Sequence, residues 1–125
     1  MEIGFEKVGQ WALNGNNIDF SLVKHAHNNN ILYAFIENNS IMYVGKSTKT
    51  LYERMSQYKN PGNTQRTNLR NNAEIKKLLS NGKKVEIYAF VDDGSFHYGP
   101  FSVNLSAGLE DSIIKAKQPL WNIMK

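Results

Sequence analysis

The sequence contains no cysteine. Disulfides and cysteine-ligated zinc are therefore excluded, and an intracellular, cytoplasmic setting is expected. No apolar run approaches the ~20 residues of a membrane-spanning helix, and the N-terminus lacks the apolar core of a secretory signal. No membrane partner is expected. Metal-ligand patterns are sparse too. His25 and His27 stand two apart, as a metal-binding pair on one strand face would, but no convincing third ligand accompanies them. The segment reads as a linker. There is no internal repeat and no low-complexity tract beyond an excess of asparagine.

At 125 residues the chain is long enough for one domain and short for two. Lysine and arginine outnumber aspartate and glutamate by 15 to 11, giving a net charge of +4. That balance favours a polyanionic partner such as nucleic acid. The basic residues are also clustered: Lys46, Lys49, Arg54, Lys59, Arg66 and Arg70 follow one another among Thr, Asn, Gln and Tyr residues able to contact phosphate.

Just before this cluster lies the stretch that organises the chain. Ile31 to Glu37 and Ile41 to Lys46 are rich in apolar, β-branched and aromatic residues on either side of Asn38-Asn39-Ser40, the mark of a β-hairpin. A turn spanning Asn38 to Ser40 would pair Glu37 with Ile41, Phe35 with Tyr43 and Tyr33 with Gly45. Tyr33 and Tyr43 then share a face. A two-residue turn would split them, because a one-residue slip reverses every side chain.

Upstream, residues 1–30 predict an N-terminal β extension: Gly9 to Leu13 and Ile18 to Leu22 alternate around an Asn-Gly turn. Downstream, Thr50 and Glu53 fit a capping box, so a helix begins at Leu51. Its inward stripe is Leu51, Met55 and Tyr58, with Arg54 at the border, and Pro61-Gly62 ends it. Asn60 to Arg70 reads as a polar, basic loop. Asn71 and Glu74 resemble a second capping box ahead of a helix carrying Ile75, Leu78 and Leu79. Val85 to Val91 is a strand that joins the hairpin in a three-stranded sheet. The aromatic stretch with Phe96, His97, Tyr98 and Phe101 reads either as a core flap or as a substrate-contacting loop. Ser106 can cap a third helix with Leu109, Ile113 and Ala116 inward and Glu110 beside them. Pro119 stops it, and Leu120-Trp121-Asn122-Ile123 pins the tail. The fold class is α+β: a small antiparallel sheet flanked by helices.

These separated elements together resemble the GIY-YIG nuclease family. Its first triplet is matched by Ile31-Leu32-Tyr33, with Ile in place of the leading Gly, and its second by Tyr43-Val44-Gly45 followed by Lys46. The helix arginine matches Arg54. The late Glu, Pro and Asn match Glu110, Pro119 and Asn122. The similarity runs over about residues 31–125 and is strongest towards the phage and restriction members, through "LYAF…YVGK", "KVEIYA" and "PLWNI". It implies a nuclease domain over 31–125 and a divalent-metal-dependent DNA endonuclease using magnesium or manganese. Glu110 would hold the metal and Arg54 the phosphate. Tyr33 would act as general base on the water aided by Lys46, Tyr43 would position water or phosphate, and Asn122 would hold Glu110 or the sheet. Lys49, Tyr58, Arg66 and Arg70 are candidate nucleic-acid contacts. Asp111 points about 100° away from Glu110 on a helix and is left out.

The chemistry is consistent. Phosphodiester hydrolysis needs an activated water, charge stabilisation on the phosphoryl group and help for the leaving oxygen. One carboxylate with several waters suits Mg²⁺, and an arginine offers a permanent charged fork. Two alternatives stay open: a structure-specific repair or recombination nuclease, and a non-catalytic nucleic-acid-binding module on the same fold. A single-site nuclease cuts both strands when two copies pair on DNA, and no interface for such pairing stands out in the sequence.

Overall fold

Two consecutive asparagines close the central hairpin. Asn38 and Asn39 both take positive φ, 49° and 65°, the left-handed pair that a tight two-residue turn demands and that Asn tolerates better than most residues. In the computed structural model, which describes residues 5–92, 97–102 and 105–123, the two strands are β3 (Ile31–Glu37) and β4 (Ser40–Ser47). They close on Glu37 opposite Ser40, not on the longer Asn38 to Ser40 turn expected from the sequence. The tyrosines are nevertheless not split. Ile36 pairs with Ile41 and Phe35 with Tyr43, so Met42 is left over as a bulge. That one extra residue reverses the alternation and returns Tyr43 to the face of Tyr33 and Phe35.

The sheet has five strands, not three. β5 (Glu86–Val91) pairs with β3 on one side and, on the other, with β1 (Glu6–Asn14), which itself pairs with β2 (Asn17–Leu22). The order is β2-β1-β5-β3-β4, antiparallel throughout. β5 has two edges of backbone donors and acceptors to satisfy, and the N-terminal hairpin takes the second. That hairpin turns at Gly15, with φ at 64°.

Each face of the sheet has its own core. Trp11, Ile31, Tyr33, Phe35, Ile87 and Ala89 meet Leu51, Met55 and Tyr58 of α1 (Leu51–Lys59) and Ile75 of α2 (Arg66–Ser80). On the other face Phe5, Leu32, Ala34, Ile36 and Val44 meet Ile113 of α3 (Leu105–Lys117). The Thr50–Glu53 capping box forms as expected. α2, however, starts at Arg66, so Asn71 lies fully buried inside it and caps nothing. The burial of Asn68 and Asn71 gives α2 a polar inward face that hydrophobic periodicity alone does not register. Ser106 lies inside the first turn of α3, where its N–H donates to Asp92 Oδ2 at 3.2 Å. Leu109 and Ile114 pack inward beside Ile113, while Ala116 is exposed. Between β5 and α3 a ribbon of β6 (His97–Tyr98) and β7 (Phe101–Ser102) leaves Tyr98 and Phe101 exposed. Phe96 and Met1 to Gly4, which fall within the aromatic stretch and the N-terminal extension, lie outside the described residues.

The C-terminal end clasps the edge strand β4. Gln118, with φ at 45°, and Pro119 redirect the chain into α4 (Leu120–Ile123). α3 covers one face of β4, and Trp121 is buried in the core of the other, 6.5 Å from Phe35 between ring centres. Asn122 sits on the edge itself. Its Oδ1 accepts from the Val44 N–H at 2.8 Å, and its Nδ2 donates to the Val44 carbonyl at 2.9 Å. One side-chain amide thus does the work of a missing neighbouring strand.

Replacing Asn122 with alanine leaves both Val44 groups unpaired beside a buried side chain. Asn122→Ala is expected to lower stability by about 1–3 kcal/mol, read as a lower urea midpoint with an unchanged far-UV spectrum. A midpoint equal to that of the parent chain would refute the clasp.

Candidate active site

Helical geometry brings Arg54 and Tyr58, four residues apart on α1, to one side of the helix, and that side faces β3. The Tyr33 and Tyr58 hydroxyls share a hydrogen bond of 2.6 Å. Arg54 Nε donates to Tyr33 Oη at 3.1 Å and Nη2 to Tyr58 Oη at 2.8 Å. Its guanidinium carbon lies 4.2 Å from the centre of the Tyr58 ring. Nη1 donates to Gln57 Oε1 at 2.8 Å. Gln57 is not among the candidate residues named above; its place three residues after Arg54 on α1 is the signal in the sequence that points to it.

Gly45 makes room for this cluster. A Cβ there would stand 2.6 Å from Tyr33 Oη and 2.7 Å from the carbon that bears it, so any side chain would displace the phenol. Tyr43 completes the wall. Its ring stacks on Phe35 at 5.9 Å and lies 6.4 Å from Tyr33 and 6.3 Å from Tyr58.

Burial dominates the electrostatics of the pair. It pushes the Tyr33 phenol well above the usual tyrosine range, and the Arg54 charge draws it back only in part. Tyr58 is raised in the same way, again mainly by burial. Both are therefore neutral at physiological pH. Lys46 stands on the other face of β4 and does not assist Tyr33.

Lys46 meets Glu110 instead. Lys46 Nζ is 3.9 Å from Glu110 Oε1, and the Lys46 backbone N–H also donates to the Glu110 carboxylate. Partial burial raises the Glu110 pKa, opposed by the Lys46 charge and reinforced by Asp111. The two groups of candidate residues thus sit on opposite faces of the sheet. Tyr43 and Gly45 face α1, Val44 and Lys46 face α3, and Asn122 and Glu110 take the outward backbone groups of Val44 and Lys46. Asn122 holds the sheet, with its side-chain oxygen and nitrogen both bonded to the Val44 backbone and not to Glu110.

The chemistry of the donor set fits one loosely held hard cation. Among the described residues no three of His, Cys, Asp and Glu converge, so Glu110 would be a lone protein carboxylate with waters around the ion. His25 is engaged by Glu6 Oε1 at 2.8 Å and Asn28 Oδ1 at 3.0 Å.

The expected nucleic-acid contacts are distributed differently. Lys49 is exposed in the turn after β4, where its N–H donates to Ser47 Oγ at 3.0 Å. Arg66 and Arg70 lie in the first turns of α2, not in a loop; Arg66 is exposed and Arg70 half-buried. The loop is confined to residues 60–65, where Gln65 Oε1 accepts from both the Gly62 N–H and Asn68 Nδ2. Tyr58 is fully buried, so it is a partner of Tyr33 and Arg54 and not a surface contact.

No family model matches the chain, and no curated protein matches it by sequence. Solved structures do. The chain is similar to a variant of bacteriophage T4 EndoII, with a TM-score of 0.73 and 26% identity, over 98% of this chain and 94% of that one. It also resembles the restriction endonuclease HPY188I in complex with product DNA, with a TM-score of 0.57 and 18% identity, over 98% and 77%. The α+β class is borne out, and the fold is that of a GIY-YIG-like nuclease.

The buried phenols give an alkaline signature. Fewer than the chain's six tyrosines should ionise at 295 nm while it remains folded, with Tyr33 and Tyr58 protonated until unfolding. Their pKa values are raised on folding, so this contribution to stability is present below the unfolded value of about 10 and is lost as pH rises above it. Six reversible ionisations in the folded chain would contradict the assignment.

Proposed function

We propose that the chain is a DNA endonuclease that hydrolyses phosphodiester bonds with a divalent cation, of the phage, restriction or mobile-element kind. The observation that carries this reading is the buried cluster in which Tyr33 and Tyr58 hold Arg54. Glu110 and Lys46 pair on the opposite face of β4. Support comes from the likeness to EndoII and to HPY188I, the latter solved with product DNA. In this reading residues 31–125 are the catalytic unit, and residues 1–30 are an extension that lengthens the sheet.

Arg54 binds a non-bridging oxygen of the scissile phosphate and offsets the charge that grows on it. Lys46 adds a second positive charge beside Glu110. A magnesium or manganese ion held by Glu110 would supply Lewis-acid polarisation of the phosphoryl group. Tyr33 enters as a neutral phenol that orients Arg54, because burial makes a standing phenolate costly. Tyr43 shields the cluster from water. Asn122 fixes the strand on which Tyr43, Gly45 and Lys46 are aligned. Exposed Lys49 and Arg66, with Arg70 one turn further on, contact the DNA backbone.

Supercoiled plasmid with Mg²⁺ tests the reading. Nicking or linearisation is expected, abolished by chelation, and reduced at least about 100-fold in Glu110→Ala and Arg54→Ala. DNA binding without cleavage under Mg²⁺ or Mn²⁺ would reduce the protein to a binding module.

A further inference from the structure

A guanidinium carries five N–H donors in a fixed plane. In Arg54 three are committed: Nε–H to Tyr33, one Nη2–H to Tyr58 and one Nη1–H to Gln57. One N–H remains on each terminal nitrogen. The two tyrosine oxygens, 2.6 Å apart, accept from Nε and Nη2 much as a carboxylate accepts from the side of an arginine. The terminal nitrogens thus keep one N–H each to meet another oxyanion.

We propose that Tyr58 and Gln57 are positioning residues that lock Arg54 so that one N–H from each terminal nitrogen is presented to a phosphate. The proposal rests on the reading of Arg54 as the phosphate-binding residue. The Arg54 guanidinium carbon also lies over the Tyr58 ring, so the ring limits its displacement as well as its rotation. Tyr58 is fully buried and Gln57 half-buried, so neither needs to touch DNA. They act through Arg54 by removing its rotamer freedom before substrate arrives.

The test is a double-mutant cycle on plasmid cleavage. Tyr58→Phe removes one oxygen, and Gln57→Leu removes the Nη1 acceptor at a half-exposed site where folding is not at stake. Each should lower kcat about tenfold, the effect of one lost hydrogen bond, with KM within about twofold. In an Arg54→Lys background, where no planar fork exists to aim, the same substitutions should change the rate by less than about twofold. Equal losses in both backgrounds would overturn the proposal. An NMR readout needs no cleavage. The Arg54 Nε–H should be protected from solvent exchange in the parent chain and exchange at least about tenfold faster in Tyr58→Phe. An unprotected Nε–H in the parent, or one unchanged by Tyr58→Phe, would also overturn it. If the parent chain neither binds nor cuts DNA, the nuclease reading fails, while the exchange measurement still decides whether Arg54 is locked.

Discussion

Met42 has no partner across the hairpin, and the candidate site depends on that. The tight Asn38-Asn39 turn alone would send Tyr43 to the face opposite Tyr33. The bulge reverses the alternation once, so that Tyr43 stands opposite Phe35 and Gly45 opposite Tyr33. Everything that follows is steric. Tyr33 can lie across β4 only because position 45 has no side chain. Only there does its hydroxyl come within hydrogen-bonding reach of both Tyr58 and Arg54. The bulge adds local twist and an unpaired backbone segment, and in return it places two aromatic hydroxyl residues on one face.

The cluster those residues build is polar and buried, which is costly unless every group is partnered. Here each phenol oxygen is partnered. Two phenols supply oxygens to two donors of the same arginine and bond to each other. Removing any one member leaves a buried donor or acceptor alone, at roughly 1–3 kcal/mol. Burial outweighs the arginine in setting the protonation of Tyr33, which is why we read this phenol as an orienting group. The resemblance alone suggested a base.

The edge of β4 is the other organising constraint. An unprotected edge strand invites pairing with another chain. This one is occupied by side chains from the C-terminal end: Asn122 at Val44 and Glu110 at Lys46. The same contacts carry the functional geometry. They bring a carboxylate from the α3 face to the strand whose other face carries Tyr43 and Gly45. Protection of the edge and assembly of the site are one arrangement, so a change at Asn122 acts on both.

Periodicity and capping alone determined a good deal. The capping box at Thr50, the inward stripe of Leu51, Met55 and Tyr58, the two hairpins and the β5 strand all follow from local preferences and burial patterns, which the chain states residue by residue. The pairing of Tyr33 with Gly45 was also legible, although by a different turn from the one formed. Other features required the tertiary structure. The bulge at Met42 depends on which faces β3 and β4 bury. The early start of α2 goes with the burial of Asn68 and Asn71, polar residues that no hydrophobic pattern marks. The fifth and fourth strands depend on β5 having a second edge to satisfy. The partners of Tyr58 and Gln57, and the separation of Lys46 from Tyr33, depend on how a helix and a strand meet in space. Sequence spacing specifies side-chain direction within one element; only packing between elements decides which groups come within hydrogen-bonding distance.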